Sequence, residues 1–178
     1  MDRGISSRES RYVEREAGRL ARRAASFENE ESKMPEESLF SNFGQIGIIV
    51  KDIKKAEAGF AKIGIGPFGP LNAEPTVRWE AFGKPTEVKL KMSFTNIGQL
   101  ELELIEPISD CMQNDFLKEK GEGINHFSFF VKDIDEVVKQ MAQKGYKVVQ
   151  RGWRPSGGGY AFFDTEADCG FMLEVIQR

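Results

Sequence analysis

The hydrophobic pattern of this chain occurs twice. Ile46 to Val50 is an apolar run that predicts a buried strand, and Phe127 to Val131 repeats it in the second half of the sequence. Each run ends in a valine that begins the same four residues, Val-Lys-Asp-Ile, whose aspartate predicts the N-cap of a helix. Gly64 and Gly145 stand at equivalent positions and predict where the two helices end. Because two copies are too few for a solenoid, the repeat predicts a paired, pseudo-symmetric domain.

Each predicted helix is followed by three more segments with strand-like patterns. We therefore predict an α+β fold of two pseudo-symmetric βαβββ modules, with module one at 43–107, a linker at 108–122 and module two at 123–177. A short helix, Gln113–Lys120, lies in the linker. The predicted strands after the helices are Thr76–Phe82, Val88–Thr95 and Gln99–Glu106 in module one, and Lys147–Gln150, Gly159–Asp164 and Phe171–Ile176 in module two.

The N-terminal segment differs in composition from the rest of the chain. Residues 1–33 hold seven arginines mixed with seven acidic residues and few large apolar side chains. Such a composition cannot bury enough apolar surface to order itself. Met34 stands just before the ordered pattern, so we predict that residues 1–40 are a disordered or start-site extension.

Composition excludes several classes of protein. With 25 basic and 28 acidic residues the formal charge is -3, which provides no broad basic field for nucleic acid. No apolar run is long enough for a membrane helix. The two cysteines lack metal-type spacing, which favours a reduced, cytoplasmic setting. A single histidine excludes a two-histidine iron site or a three-histidine zinc site within one chain.

Polar residues of ligand type stand on the first and last strand of each module. Gln45 and His126 begin the first strands, and Glu103 and Glu174 lie in the last. Glu174 is the most informative, because its strand is apolar on both faces and a buried carboxylate is costly unless it is paired, protonated or bound to a cation. Oxygen and imidazole donors suit divalent metals. The alternatives are a hydrogen-bonded half-buried histidine and a solvent-facing polar side shared by Glu101 and Glu103.

Several motifs resemble a known family. They are Glu103-Leu104-Ile105-Glu106-Pro107, the run from Phe116 to His126 that ends in Gly-Glu-Gly-Ile-Asn-His, the glycine-rich Pro155–Gly159 and Leu173-Glu174-Val175. With the two βαβββ modules, residues 43–177 look like the vicinal-oxygen-chelate superfamily, which includes glyoxalase I, bleomycin-resistance proteins and extradiol dioxygenases. Methylmalonyl-CoA epimerase shows the most similar motifs. The resemblance implies a cupped, barrel-like mixed β-sheet, a homodimer and one divalent metal ion (Co, Zn, Ni or Mn) held by Gln45, Glu103, His126 and Glu174.

The activity implied by this resemblance is that of a metal-dependent epimerase or isomerase. An acyl-CoA thioester would lose the proton next to its carbonyl, and the metal would stabilise the resulting enolate. Glu87 and Glu174 are the candidate catalytic carboxylates. Gln45 departs from the epimerase pattern, and the Gln-Glu-His-Glu set is similar to that of eukaryotic glyoxalase I. The alternatives are therefore a lactoylglutathione lyase of that type, and a metal-free protein of the same fold that binds a drug or another small molecule.

Overall fold

The computed structural model describes residues 39–70 and 75–178. Residues 1–38 lie outside the described residues, and with them most of the extension predicted over 1–40. The same holds for residues 71–74 in the loop that follows the first predicted helix. Within the described part, none of the helices is both long and apolar enough to cross a membrane.

The elements follow the predicted order of two modules joined by a short helix. Module one contains β1 (Phe43–Ile49), α1 (Ile53–Lys62), β2 (Arg78–Ala81), β3 (Lys84–Thr86), β4 (Leu90–Ile97) and β5 (Leu100–Pro107). The linker forms α2 (Met112–Lys120). Module two contains β6 (Gly123–Phe130), α3 (Ile134–Gln143), β7 (Val148–Trp153), β8 (Gly159–Phe163), α4 (Glu166–Cys169) and β9 (Met172–Gln177). The sequence pattern missed the short elements β3 and α4, which have too few residues to show a hydrophobic period.

The start and the end of the repeated helices have the predicted local chemistry. Asp52 accepts a hydrogen bond from the backbone N–H of Lys55 at 3.0 Å, and Asp133 accepts one from the backbone N–H of Glu136 at 3.1 Å. These bonds satisfy donors that the first turn of a helix leaves free. At the other end, Gly145 has a φ of 93°, in the left-handed region that favours glycine.

A single mixed sheet contains the nine strands of the described residues, in the order β3-β2-β7-β8-β9-β6-β1-β5-β4. The first strands of the two modules, β1 and β6, pair antiparallel at its centre. Each of them pairs on its outer side with the last strand of its own module, β1 with β5 and β6 with β9, in parallel. The sheet remains unclosed, because β3 and β4 are its two edges.

The helices α1 and α3 pack on one face of this sheet and leave the other face for a cavity. Ile134 and Met141 of α3 pack with Phe163 and Val175, and Ile53 of α1 packs with Leu104. Because side chains alternate along a strand, the residues next to Leu104, Phe163 and Val175 point to the face opposite these helices. Residues of β5, β8 and β9 that alternate with the core residues therefore line the concave face.

Two strands of module one, β2 and β3, lie in the half of the sheet formed by module two. β2 pairs with β7, and the edge of Trp79 packs against the ring of Tyr160 on β8 with ring centroids 5.4 Å apart. The edge strand β4 instead makes a short bridge to Gly69. The β2–β3 hairpin thus extends the second half of the sheet and places Trp79 over the concave face.

Candidate metal centre

The strand register brings the predicted ligands toward one region of the concave face. Gln45 on β1 lies opposite Glu101 on β5 and Ser128 on β6, and Ser128 lies opposite Glu174 on β9. Two residues further along β1, Gly47 lies opposite both Glu103 on β5 and His126 on β6. Side chains two residues apart on a strand share a face, so these two rows lie next to each other.

His126 is the centre of this cluster and is fully buried. Its Nε2 lies 3.4 Å from Glu103 Oε2 and 3.5 Å from Glu174 Oε2, and it makes no hydrogen bond. Its Nδ1 lies 3.1 Å from Asn125 Oδ1, which can only accept. Nδ1 therefore carries the hydrogen, and the lone pair of Nε2 faces the two carboxylates. Burial also lowers the pKa of His126, which keeps the ring neutral.

Gly47 provides the space that the imidazole ring occupies. A Cβ added at Gly47 would overlap Cε1 and Nε2 of His126 and would lie 2.5 Å from Nδ1. Any other residue at this position would therefore displace the ring from its place between Glu103 and Glu174. The sequence alone offered no signal for this role, because glycine has many uses in strands.

Two buried carboxylates face the histidine. Burial, together with the nearby charge of Glu101, raises the pKa of Glu103 to about 8 against the opposing effect of Arg154. Burial likewise raises the pKa of Glu174 to about 7, against the opposing effect of His126. Glu103 and Glu174 interact with each other, so they titrate as a pair. The alternative of a solvent-facing polar side for Glu103 is wrong, because the sheet curves over this face and buries it.

A chain of polar contacts connects the fourth predicted ligand to the cluster. Gln45 donates from Nε2 to Glu101 Oε1 at 2.7 Å, and its Oε1 accepts from the Ser128 hydroxyl at 3.0 Å. Ser128 also contacts Glu174 Oε2, and Arg178 donates to Glu101 Oε1 at 3.0 Å. The Ser128 hydroxyl has one hydrogen, which it donates to Gln45. Its contact with Glu174 is therefore a hydrogen bond only when Glu174 is protonated and donates to the hydroxyl oxygen. This arrangement agrees with the raised pKa of Glu174.

Sequence reasoning missed Ser128 and Arg178 as members of the site. Ser128 did leave a signal, since it is the polar residue two positions after His126 in an otherwise apolar strand and so shares its face. Arg178 left none, because a single arginine next to a strand is usually a surface residue.

The donors around His126 fit a divalent metal ion. Two ligand atoms that bind the same metal ion at about 2.1 Å, with a tetrahedral angle between them, lie about 3.4 Å apart. The distances from His126 Nε2 to the oxygens of Glu103 and Glu174 are close to this value. A metal-binding histidine also usually donates its second N–H to an oxygen acceptor, as Nδ1 does to Asn125. Within the described residues, no group of three or more His, Cys, Asp or Glu side chains is arranged to hold a metal ion as it stands. Glu174 would have to exchange its contact with Ser128 for one with the metal.

The structure does not bring Glu87 to this site. Its side chain is 78% exposed and pairs with Lys89 at 2.9 Å, on the segment between β3 and β4. Because that segment follows an edge strand, Glu87 points into solvent and does not line the concave face. The expectation of a catalytic role for Glu87 is therefore not supported by its position.

A cavity of about 180 Å³ opens above the cluster. Its surface is mostly apolar, and the polar side chains that line it include Gln45, Glu103 and Glu174 of the cluster as well as Gln113, Gln150 and Arg154. A small set of polar groups in an apolar pocket is the usual composition of a small-molecule site. The apolar wall residues are Trp79, Leu90, Met92, Phe94, Ile105, Tyr160, Phe162 and Ile176.

Comparison with known proteins gives one family match. A model of the Glyoxalase/Bleomycin resistance protein/Dioxygenase superfamily matches residues 44–163. The uncharacterized protein YqjC of Bacillus subtilis (strain 168) is 28% identical over 94 residues, which are 51% of this chain and 67% of that protein.

Solved structures share the fold. The methylmalonyl-CoA epimerase of Mycobacterium tuberculosis superposes with a TM-score of 0.58 at 15% identity, over 81% of this chain and 92% of that chain. A Streptomyces coelicolor methylmalonyl-CoA epimerase variant in complex with 2-nitronate-propionyl-CoA gives a TM-score of 0.55 at 20% identity, over 78% of this chain and 94% of that chain.

Proposed function

This chain belongs to the Glyoxalase/Bleomycin resistance protein/Dioxygenase superfamily, and we propose on that premise that it is a metal-dependent epimerase or isomerase of acyl-CoA thioesters. In this proposal, Glu103, His126 and Glu174 hold one divalent ion, with Gln45 as the fourth ligand. The substrate occupies the cavity above them and loses the proton on the carbon next to its carbonyl.

The observation that carries the proposal is the buried Nε2 of His126. Its lone pair makes no hydrogen bond and faces two carboxylate oxygens at 3.4 and 3.5 Å. A buried polar atom without a partner costs free energy, and so does a carboxylate buried among apolar side chains. One divalent cation would satisfy the nitrogen and both carboxylates together.

The residues of the cavity provide the rest of the chemistry. A bound divalent ion would polarise the substrate carbonyl and make the neighbouring C–H more acidic. Without metal, burial raises the pKa of Glu174 to about 7, a basicity that suits a proton acceptor near neutral pH. Glu174 would take this role after it leaves the metal. Inversion at carbon also needs a proton donor on the opposite face. Glu101 lines the same cavity from β5, but it accepts hydrogen bonds from Gln45 and Arg178, so it would have to take up a proton before it could fill this role.

The acyl-CoA substrate is supported by the motifs shared with methylmalonyl-CoA epimerase and by the common fold. A homodimer and a cytoplasmic location stay predictions from the resemblance and from composition.

The Gln45 position favours a second candidate, a glyoxalase-I-type lyase that acts on a thiol adduct of a 2-oxoaldehyde. Both candidates would use the same metal site, so substrate assays must separate them.

The first experiment measures metal content by elemental mass spectrometry in the wild type and in His126→Ala. The matched control is Glu106→Gln, which changes a carboxylate on the outer face of the same strand that carries Glu103. We expect near-stoichiometric divalent metal in the wild type and the control, and its loss in His126→Ala. Wild-type protein that takes up no zinc, cobalt, nickel or manganese would overturn the proposal and favour a metal-free binding protein.

The second experiment separates the two substrates. Metal-loaded protein is incubated in D₂O with methylmalonyl-CoA or with the hemithioacetal of methylglyoxal and glutathione, and the reaction is followed by proton NMR. Exchange of the α-proton of the thioester supports the epimerase, whereas formation of lactoylglutathione supports the lyase. Inactivity of metal-loaded protein toward both would contradict both assignments.

A further inference from the structure

The strand β6 contains a β-bulge immediately before His126. In the pairing of β1 with β6, Gly47 lies opposite His126, and the next residue of β1, Ile48, lies opposite Ile124. Asn125 is therefore an extra residue on β6, without a partner in the register of β1. A bulge of this kind bends its strand and re-aims a side chain, and bulges are common beside functional sites.

The bulge brings two consecutive side chains into contact. In a regular strand the side chains of Asn125 and His126 would point to opposite faces of the sheet. Instead, Asn125 is fully buried and its Oδ1 lies 3.1 Å from His126 Nδ1. Its Nδ2 has no hydrogen-bond partner among the described residues. Because a buried amide that is only partly satisfied costs free energy, its presence beside the histidine indicates a role in the site.

Module one has an equivalent bulge with a different residue in it. On β1 the extra residue is Gly44, immediately before Gln45, which corresponds to His126 in the repeat. A Cβ added at Gly44 would overlap the ring of Phe130. Packing therefore accounts for the glycine in the first bulge, whereas the side chain of Asn125 is a feature of module two.

The neutral imidazole ring of His126 has one hydrogen and possible acceptors on both sides. Asn125 Oδ1 can accept it at Nδ1, and oxygens of Glu103 and Glu174 lie 3.4 and 3.5 Å from Nε2. A hydrogen on Nε2 would serve a carboxylate but would leave that nitrogen no lone pair for a metal ion. The hydrogen bond made by one ring nitrogen decides the state of the other, so Asn125 favours the tautomer with a free lone pair on Nε2.

We propose that Asn125 is a positioning residue that keeps the hydrogen of His126 on Nδ1 and so prepares Nε2 to bind a divalent ion. The part that concerns metal affinity rests on the proposed function, whereas the place of the hydrogen is a property of the metal-free chain. Asn125 is not among the residues that line the cavity, so it acts through His126 and not on the substrate.

The tautomer can be measured directly, because His126 is the single histidine of the chain. Protein with ¹⁵N-labelled histidine is freed of metal, and a long-range ¹H–¹⁵N NMR spectrum at neutral pH shows which ring nitrogen carries the hydrogen. Asn125→Leu removes the acceptor at similar size, and Asn125→Asp retains it. Ile124→Ala is the matched control, since it changes the exposed residue next to the bulge. Zinc affinity is measured by competition with a chelating dye, and circular dichroism shows whether each variant is folded.

We expect the hydrogen on Nδ1 in the wild type, in Ile124→Ala and in Asn125→Asp, and on Nε2 in Asn125→Leu. Asn125→Leu should also bind zinc roughly 10- to 100-fold more weakly than the wild type, whereas Asn125→Asp should regain most of the affinity.

A hydrogen on Nε2 in the wild type would mean that the amide donates to the ring, and this alone would overturn the inference, whether or not Asn125→Leu folds. A hydrogen that stays on Nδ1, or an unchanged zinc affinity, in folded Asn125→Leu would overturn it as well. A wild type with the hydrogen on Nδ1 that binds no divalent metal would contradict the proposed function and still support the placement of the hydrogen by Asn125.

Discussion

Gly47 lies opposite His126 in the pairing of β1 with β6. We predict that Gly47→Ala destabilises the protein and abolishes the proposed metal binding. The new methyl group would overlap the imidazole ring, which is fully buried and cannot move into solvent. The edge of the ring also packs against Phe162, with ring centroids 5.0 Å apart. The ring would have to rotate away from Asn125 and from the two carboxylates.

The size of the effect follows from three contributions. Overpacking a tight interior costs up to about 3 kcal/mol, and the lost hydrogen bond to Asn125 costs about 1 kcal/mol more. The lower conformational freedom of alanine in the unfolded chain returns about 0.5 kcal/mol. We therefore expect Gly47→Ala to reduce the free energy of unfolding of the metal-free protein by about 3 kcal/mol.

The assay is denaturation by urea in the presence of a chelator, followed by intrinsic fluorescence, with metal content measured separately by elemental mass spectrometry. Gly123→Ala is the matched control, because it adds a methyl group on β6 with nothing within 4 Å. That variant should stay within about 0.5 kcal/mol of the wild type. If Gly47→Ala matched the wild type in stability and metal content, His126 would not be confined as the structure indicates.

Three further predictions concern the carboxylates and their partners. Metal-free protein should be about 2 kcal/mol less stable at pH 9 than at pH 7 in denaturant titrations. The raised pKa values of Glu103 and Glu174 mean that the stability they contribute is complete below about pH 4.5 and is lost as pH rises through about 7 and 8. His126 has a lowered pKa and changes protonation only below this range, so equal stability at both pH values would contradict the burial of the two carboxyl groups. Ser128→Ala should cost about 1–2 kcal/mol in the same titration, since it removes a fully buried partner of Gln45, and no loss would show that the amide finds another partner. Glu87→Gln should keep proton exchange of the thioester within about twofold of wild type, whereas Glu174→Gln should lower it at least 100-fold; the reverse order would restore Glu87 as the base.

The repeat made the architecture predictable from the sequence. The apolar runs, the N-cap aspartates and the helix-terminal glycines are local signals, and the structure has the two helices where these signals predict them. The strands of module two were predicted to within about three residues for the same reason. The pseudo-symmetric α+β sheet follows because each module buries its apolar strand face against its own helix.

Local patterns could not show which strands become neighbours. The segment predicted as Thr76–Phe82 forms β2, yet it pairs with β7 of the other module because Trp79 packs on Tyr160 across the sheet. Glu87 has the residue type of a catalytic base, but its position beside an edge strand exposes it to solvent. Glu101 and Glu103 alternate with leucines, and only the curvature of the sheet shows that their face is the inside of a cavity.

The sequence by itself determined the two modules, the helices and the residue types of the candidate site, because these depend on neighbours along the chain. The tertiary structure alone decided that Glu103 and Glu174 approach the same nitrogen of His126 and that Gly47 leaves room for the ring. These relations depend on strand register and burial. Both arise from contacts between residues far apart in sequence, which no local pattern records.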